Sequence, residues 1–169
     1  MSAIRNIRML TRYTAWANAR LLGALANLLE GEATASRATG FGNMVNTLNY
    51  AYVVDLIWKA HLEGNAHGFS ARISAVEPKL DDLRRTQALV DQWYIDYADR
   101  LSDEAHREVV HFEFVDGGSG AMNRGDMLLH VVNHKTHHRG VVADMLYQTS
   151  SRPPTMDLPV FLRDVLLDL

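Results

Sequence analysis

The chain has 169 residues with 17 Lys+Arg against 20 Asp+Glu, a net charge of -3, and 47% hydrophobic and 22% charged residues, the balance of one soluble globular domain spanning 1–169. It has no cysteine, which excludes disulfides, thiolate zinc sites and a cysteine nucleophile. Lys and Arg form no basic run and no segment is apolar enough to cross a bilayer, so neither nucleic acid nor membrane is the expected partner and the cytoplasm the expected location. Eight histidines are the compositional anomaly.

In chain order, Ile7, Leu10, Thr14, Ala17, Leu21, Leu25 and Leu28 recur at three- and four-residue intervals and predict a first helix over Ile4 to Leu29, ended near Gly31. Asn43 is placed to cap a second helix carrying Val45, Leu48, Tyr52, Val53, Leu56, Ile57 and Trp58 and stopped by Gly64. A third begins near Leu80, with Leu83, Leu89, Val90, Trp93, Tyr97 and Leu101 expected on one face. Arg107 to Val115 alternates like a strand, and Asp116 to Gly120 follows as a turn, predicting a small hairpin or extended loop. Asn123 with Asp126 opens a fourth helix through about Gln148, with Pro153 and Pro154 beyond it. The tail from Asp157 to Leu169 reads as a short amphipathic helix. The fold class expected is all-α, a helical bundle whose cofactor site would lie between facing helices.

The chemistry concentrates in the fourth helix, which carries His130, His134, His137 and His138. At about 100° and 1.5 Å per residue, His134 and His138 stand one turn apart and can converge on one ion. His130 extends the stripe, whereas His137 points about 100° away from His138. A pair four residues apart also arises in ordinary helices, and a metal centre normally takes a third protein ligand, so spacing alone leaves metal binding open. For His61, His67, His106 and His111 we expect surface or loop positions, and for Arg139 a solvated one; Trp16, Trp58 and Trp93 are expected in the core or a dimer interface. There is no phosphate-binding GxxxxGK[ST] loop, no GxGxxG fingerprint, no HExxH helix and no nucleophile elbow.

The segment LLHVVNHKTHHRG, Leu128 to Gly140, closely resembles the signature helix of the DinB-like (YfiT-like) metalloenzymes, a His-Phe-Asn-His-x-x-His-His-Arg-Gly-Gln pattern. YTAWANARLL (Tyr13 to Leu22), TLNYAYVVDLIWKAHLEG (Thr47 to Gly64) and PPTMDLPVFL (Pro153 to Leu162) resemble further segments of that family, in its order. The resemblance implies a four-helix bundle with up-down-down-up connectivity, a homodimer, and a divalent metal, zinc or nickel, held by three histidines. Two of these map onto His134 and His138. It also implies an enzyme of the transferase or hydrolase kind acting on a small molecule, with thiol-dependent transfers and isomerisations known among relatives; whether a thiol cofactor takes part here stays open.

Two departures bear on that expectation. Where the family reads Leu-Asn-His in the second helix, this chain reads Leu48-Asn49-Tyr50, so Tyr50 occupies the third-ligand position, and Val141 replaces the family's Gln. His61 lies on the same helical face about 16 Å further along and cannot take over, and Asp55 lies about 140° round the helix from Tyr50. Tyr50 would ligate only as a phenolate, whose unperturbed pKa is near 10, so the site should be weakened. Two readings follow: a metal-dependent enzyme with an altered centre of His134, His138 and Tyr50, or a non-catalytic, metal-free dimeric binding module of the same family. The intact motif of the fourth helix favours the first.

Overall fold

The computed structural model describes residues 3–165 and is mostly helical. Its elements in chain order are α1 (Ala3–Ala26), α2 (Met44–Glu63), α3 (Leu80–Arg100), α4 (Asp103–Arg107), β1 (Val109–Glu113), β2 (Ser119–Asn123), α5 (Arg124–Leu146) and α6 (Leu158–Asp164). Among the described residues these make six helices and one two-stranded antiparallel sheet. None of the helices is long and apolar enough to cross a membrane.

The ends of the long helices follow local chemistry. Asn43 accepts a hydrogen bond from the Asn46 N–H at the start of α2, and Asn123 accepts one from the Asp126 N–H at the start of α5. At the other end of α2, Gly64 has φ 73°, the left-handed conformation that lets its N–H reach back to the last carbonyls. Helix α1 stops at Ala26, short of the expected Leu29. Asn27 and Leu28 donate to Ala24 and Leu25 three residues back, so the chain tightens into a turn before Gly31.

Long-range packing joins α1 to α3 and α5, and α2 to α5 and α3. One half of the core gathers Ile7, Val54, Trp58, Leu62, Val90, Tyr94, Met127 and Leu128. The other gathers Leu21, Leu25, Met44, Val45, Leu83, Val142 and Met145. Trp58 is buried in the first half as expected, whereas Trp16 and Trp93 are only half-buried. Leu89 does not share the buried face of α3 and is 68% exposed, because it lies one residue, about 100°, from Val90.

The hairpin expected before the last long helix is present, with Val109 opposite Asn123 and Glu113 opposite Ser119. Its buried residue is Phe112, whose ring meets Trp58 edge-on at 4.9 Å. Gly120 sits under that ring, where a Cβ would clash with it. Helix α6 carries Pro159 in its first turn and buries Phe161 against Tyr13 and Trp16. It covers the first part of the expected tail helix; residues 166–169 lie outside the described residues.

Candidate metal centre

Helices α2 and α5 face each other with Tyr50 on one and His134 and His138 on the other. The two histidines are one turn apart on α5, and their Nε2 atoms are 3.2 Å apart. Two nitrogens each about 2.0–2.1 Å from one tetrahedral ion would stand about 3.3 Å apart. The same separation also suits a direct hydrogen bond between one protonated and one bare ring nitrogen. The Nδ1 atoms of both histidines are buried and have no hydrogen-bond partner. A ligating histidine normally donates this second N–H to a carboxylate or carbonyl that fixes its orientation.

Tyr50 packs against this pair. Its ring centroid lies 5.6 Å from that of His134 and 5.1 Å from that of His138. Phe41 stacks on Tyr50 at 4.4 Å and also meets His138 edge-on at 5.6 Å. The loop before α2 therefore adds Phe41 to a cluster in which Tyr50, His138 and Phe41 each touch the other two. Among the described residues, no three His, Cys, Asp or Glu side chains converge as a metal-binding group. The donor set thus supplies two imidazole nitrogens, and although the His130 ring lies 5.7 Å from that of His134, no third His, Asp or Glu side chain among the described residues converges with them; it matches a metal chelate in part.

Burial sets the charge state of the pair. Desolvation first, then the neighbouring positive groups, pushes the His134 imidazolium down to about 3 and the His138 one down to about 4. Both rings are neutral at pH 7, the state that binds a metal ion without releasing a ring proton. His130 is lowered too, by desolvation. His137 points outward and is exposed, as its place on the helix requires.

The rings continue along the helices as a chain. His130 follows His134 at 5.7 Å, Trp58 follows His130 at 4.8 Å, and His61 follows Trp58 at 5.5 Å. His61 is only 7% exposed, against the surface position expected from its place near the end of α2, because Trp58 and the hairpin's Phe112 close over it. His67 lies beside it at 5.4 Å, with Nδ1 accepting from the Phe69 N–H at 2.9 Å. His111 is exposed and His106 half-buried against Gly125, where a Cβ would overlap the ring.

On its other side α5 carries charge that the sequence reading missed. Lys135 Nζ lies 2.8 Å from Asp55 Oδ2 and donates to Gln87 Oε1 at 2.7 Å, with both charged side chains at most 3% exposed. Gln87 donates in turn to Asp55 and Asp91, and Asn18 donates to both oxygens of Asp91. Arg139 donates to Asn18 Oδ1 at 3.0 Å and Thr136 Oγ1 at 2.9 Å. It is 2% exposed rather than solvated, because α1 covers it with Asn18 and the Tyr13 ring. The signal available in the sequence was the second i, i+4 pair, Lys135 and Arg139, each one residue after a motif histidine. Asp55 is turned away from Tyr50, as its azimuth predicted, and burial raises its carboxyl to about 6 despite Lys135.

The curated proteins contain no match to the chain. The family model described as the DinB family matches residues 1–164, nearly the whole length. The chain therefore belongs to the DinB family.

Proposed function

We propose that this chain is a four-helix bundle of up-down-down-up connectivity and a divalent-metal-dependent enzyme acting on a small molecule, with His134 and His138 as metal ligands and Tyr50 at the third position. Contacts between elements support the connectivity. Asp99 of α3 pairs with Arg12 of α1 and Asp91 with Asn18, so these helices run antiparallel, whereas Asp55 and Leu62 of α2 meet Gln87 and Tyr97 of α3 in parallel order. Tyr50 beside His138 and Trp58 beside His130 set α5 antiparallel to α2.

The observation that carries the metal reading is the 3.2 Å separation of the two Nε2 atoms on rings kept neutral by burial. A zinc or nickel ion bound there would supply Lewis-acid activation of water or a thiol at neutral pH. The protein's own contribution is to present two nitrogens from one rigid helix, to cover one side with Tyr50 and Phe41, and to leave the His130 side open to a cavity of about 170 Å3 lined by Tyr50, Trp58 and His134. With two nitrogens in place of three, the metal affinity expected is lower than that of a three-histidine centre.

A second reading, a metal-free binding module, is favoured by the stack of Phe41 on Tyr50 and by the two Nδ1 atoms without partners. Elemental analysis of untagged protein loaded with zinc and nickel separates the two. Near-stoichiometric metal that is lost in His134→Ala supports an altered but working metal centre and justifies a search for thiol-transfer substrates. Metal absent from wild type and gained in Tyr50→His supports the module.

A further inference from the structure

Beyond the histidine pair, the cleft between α2 and α5 continues into the 170 Å3 cavity, roofed by the hairpin tip and the loop after α2. Val54, Ile57, Trp58 and Phe114 give it apolar and aromatic walls. A cavity of about 150 Å3 with such walls holds benzene, so this one has room for a six-membered ring or a branched chain of similar bulk. His61 also lines it. This ring is 7% exposed and lies among the rings of Trp58, His67 and Phe112, so it adds an imidazole to the cavity wall.

Charge then selects among occupants of that size. Arg72 is the one Lys, Arg, Asp or Glu side chain on the cavity wall among the described residues. Its guanidinium makes a single 3.3 Å contact with Asp116 of the hairpin turn, both side chains being well exposed at 45% and 67%. An exposed pair of this kind is weak, and it occupies one of the five N–H donors of the arginine. The remaining donors, at the mouth of an apolar cavity, match a carboxylate carried on a ring or branched chain.

We propose that this cavity binds a small carboxylate with an aromatic or branched apolar body, the body between Trp58 and Phe114 and the carboxylate on Arg72. Because His134 lines the same cavity, the occupant would lie beside the proposed metal centre. Only this last link, from occupant to substrate, rests on the metal reading; binding in the cavity does not.

The test is titration calorimetry of chelator-treated protein with benzoate, benzamide and benzylamine, which share a ring and differ in charge, together with the NMR shift of the Trp58 indole N–H. Benzoate is expected to bind about tenfold more tightly than benzamide, the lower end of what a charge-assisted hydrogen bond gives at a part-exposed site, and benzylamine more weakly still. Arg72→Gln should reduce benzoate to the level of benzamide, and Asp116→Asn, which frees the arginine, should tighten benzoate a few-fold. Val115→Trp, a change at a half-buried position of the cavity wall, should block all three ligands. Equal binding of benzoate and benzamide, a preference that survives Arg72→Gln, shifts that bypass Trp58, or no binding at all overturns the proposal. Zinc uptake by the same preparations keeps the two readings apart. Benzoate preference without zinc uptake leaves the cavity assignment and removes the metal centre, and zinc uptake without benzoate preference does the reverse.

Discussion

Helix α5 has two polar faces about 100° apart, and they solve opposite problems. On one, Lys135 and Arg139 are buried with Asp55, Asp91, Gln87 and Asn18 in a network that gives each cation a partner. On the other, His134 and His138 are largely buried with no carboxylate beside them, touch each other at Nε2 and leave both Nδ1 atoms unpaired. The first face fixes the position of α5 against α1, α2 and α3. The second is held in place by the first and keeps unsatisfied polar groups, which is where a protein built for binding departs from one built only for stability.

The comparison breaks most visibly on the charged face. Lys135→Met should cost roughly 3–5 kcal/mol in urea unfolding, since it leaves buried carboxylates without their counter-ion. Lys135→Met combined with Asp55→Leu should recover a large part of that loss, because neither charge then remains. If the single and double variants are equally unstable, the network does not act as a charge-balanced unit.

On the histidine face, Tyr50→His should raise zinc affinity at least about tenfold by restoring a third imidazole, with little change in unfolding free energy of the metal-free protein. Dialysis against a competing chelator measures it; unchanged affinity would mean that position 50 does not reach the ion.

Acid should act on the histidine face first. The folded-state pKa values of His134 and His138, about 3 and about 4, lie below the unfolded value near 6.5, so the unfolded chain takes up protons first as pH falls. Stability from these groups is therefore fully present above pH 6.5 and is lost progressively as pH falls through about 4 for His138 and about 3 for His134. Tm should drop by several degrees between pH 7 and pH 5, and less in His134→Gln. Asp55 has the opposite sign: its carboxyl, raised to about 6, favours the folded state below the unfolded value near 3.8 and loses that contribution as pH rises through 6. A Tm profile of His134→Gln that matches wild type would assign the acid sensitivity elsewhere.

The smallest effect expected is at the start of α5. Asn123→Ala removes the side chain that accepts from the Asp126 N–H and should cost about 1 kcal/mol, without altering zinc uptake, because both faces of the helix begin a turn or more later.

What could be read from the sequence was local. The spacing of apolar residues gave the four long helices, Asn43, Asn123 and Gly64 marked their ends, and positions 134 and 138 had to share a face of α5 because four residues nearly complete a turn. Tyr50 could be matched to those histidines only through the resemblance of whole segments. The tertiary structure decided what depends on residues far apart in the chain. His61 is buried because the hairpin, some fifty residues later, lays Phe112 over it, and Arg139 is buried because α1 brings Asn18 and Tyr13 to it. A single helix specifies which side chains lie side by side, but whether a polar one meets water, a partner or nothing is set by the elements packed against it, and these are chosen by the fold as a whole.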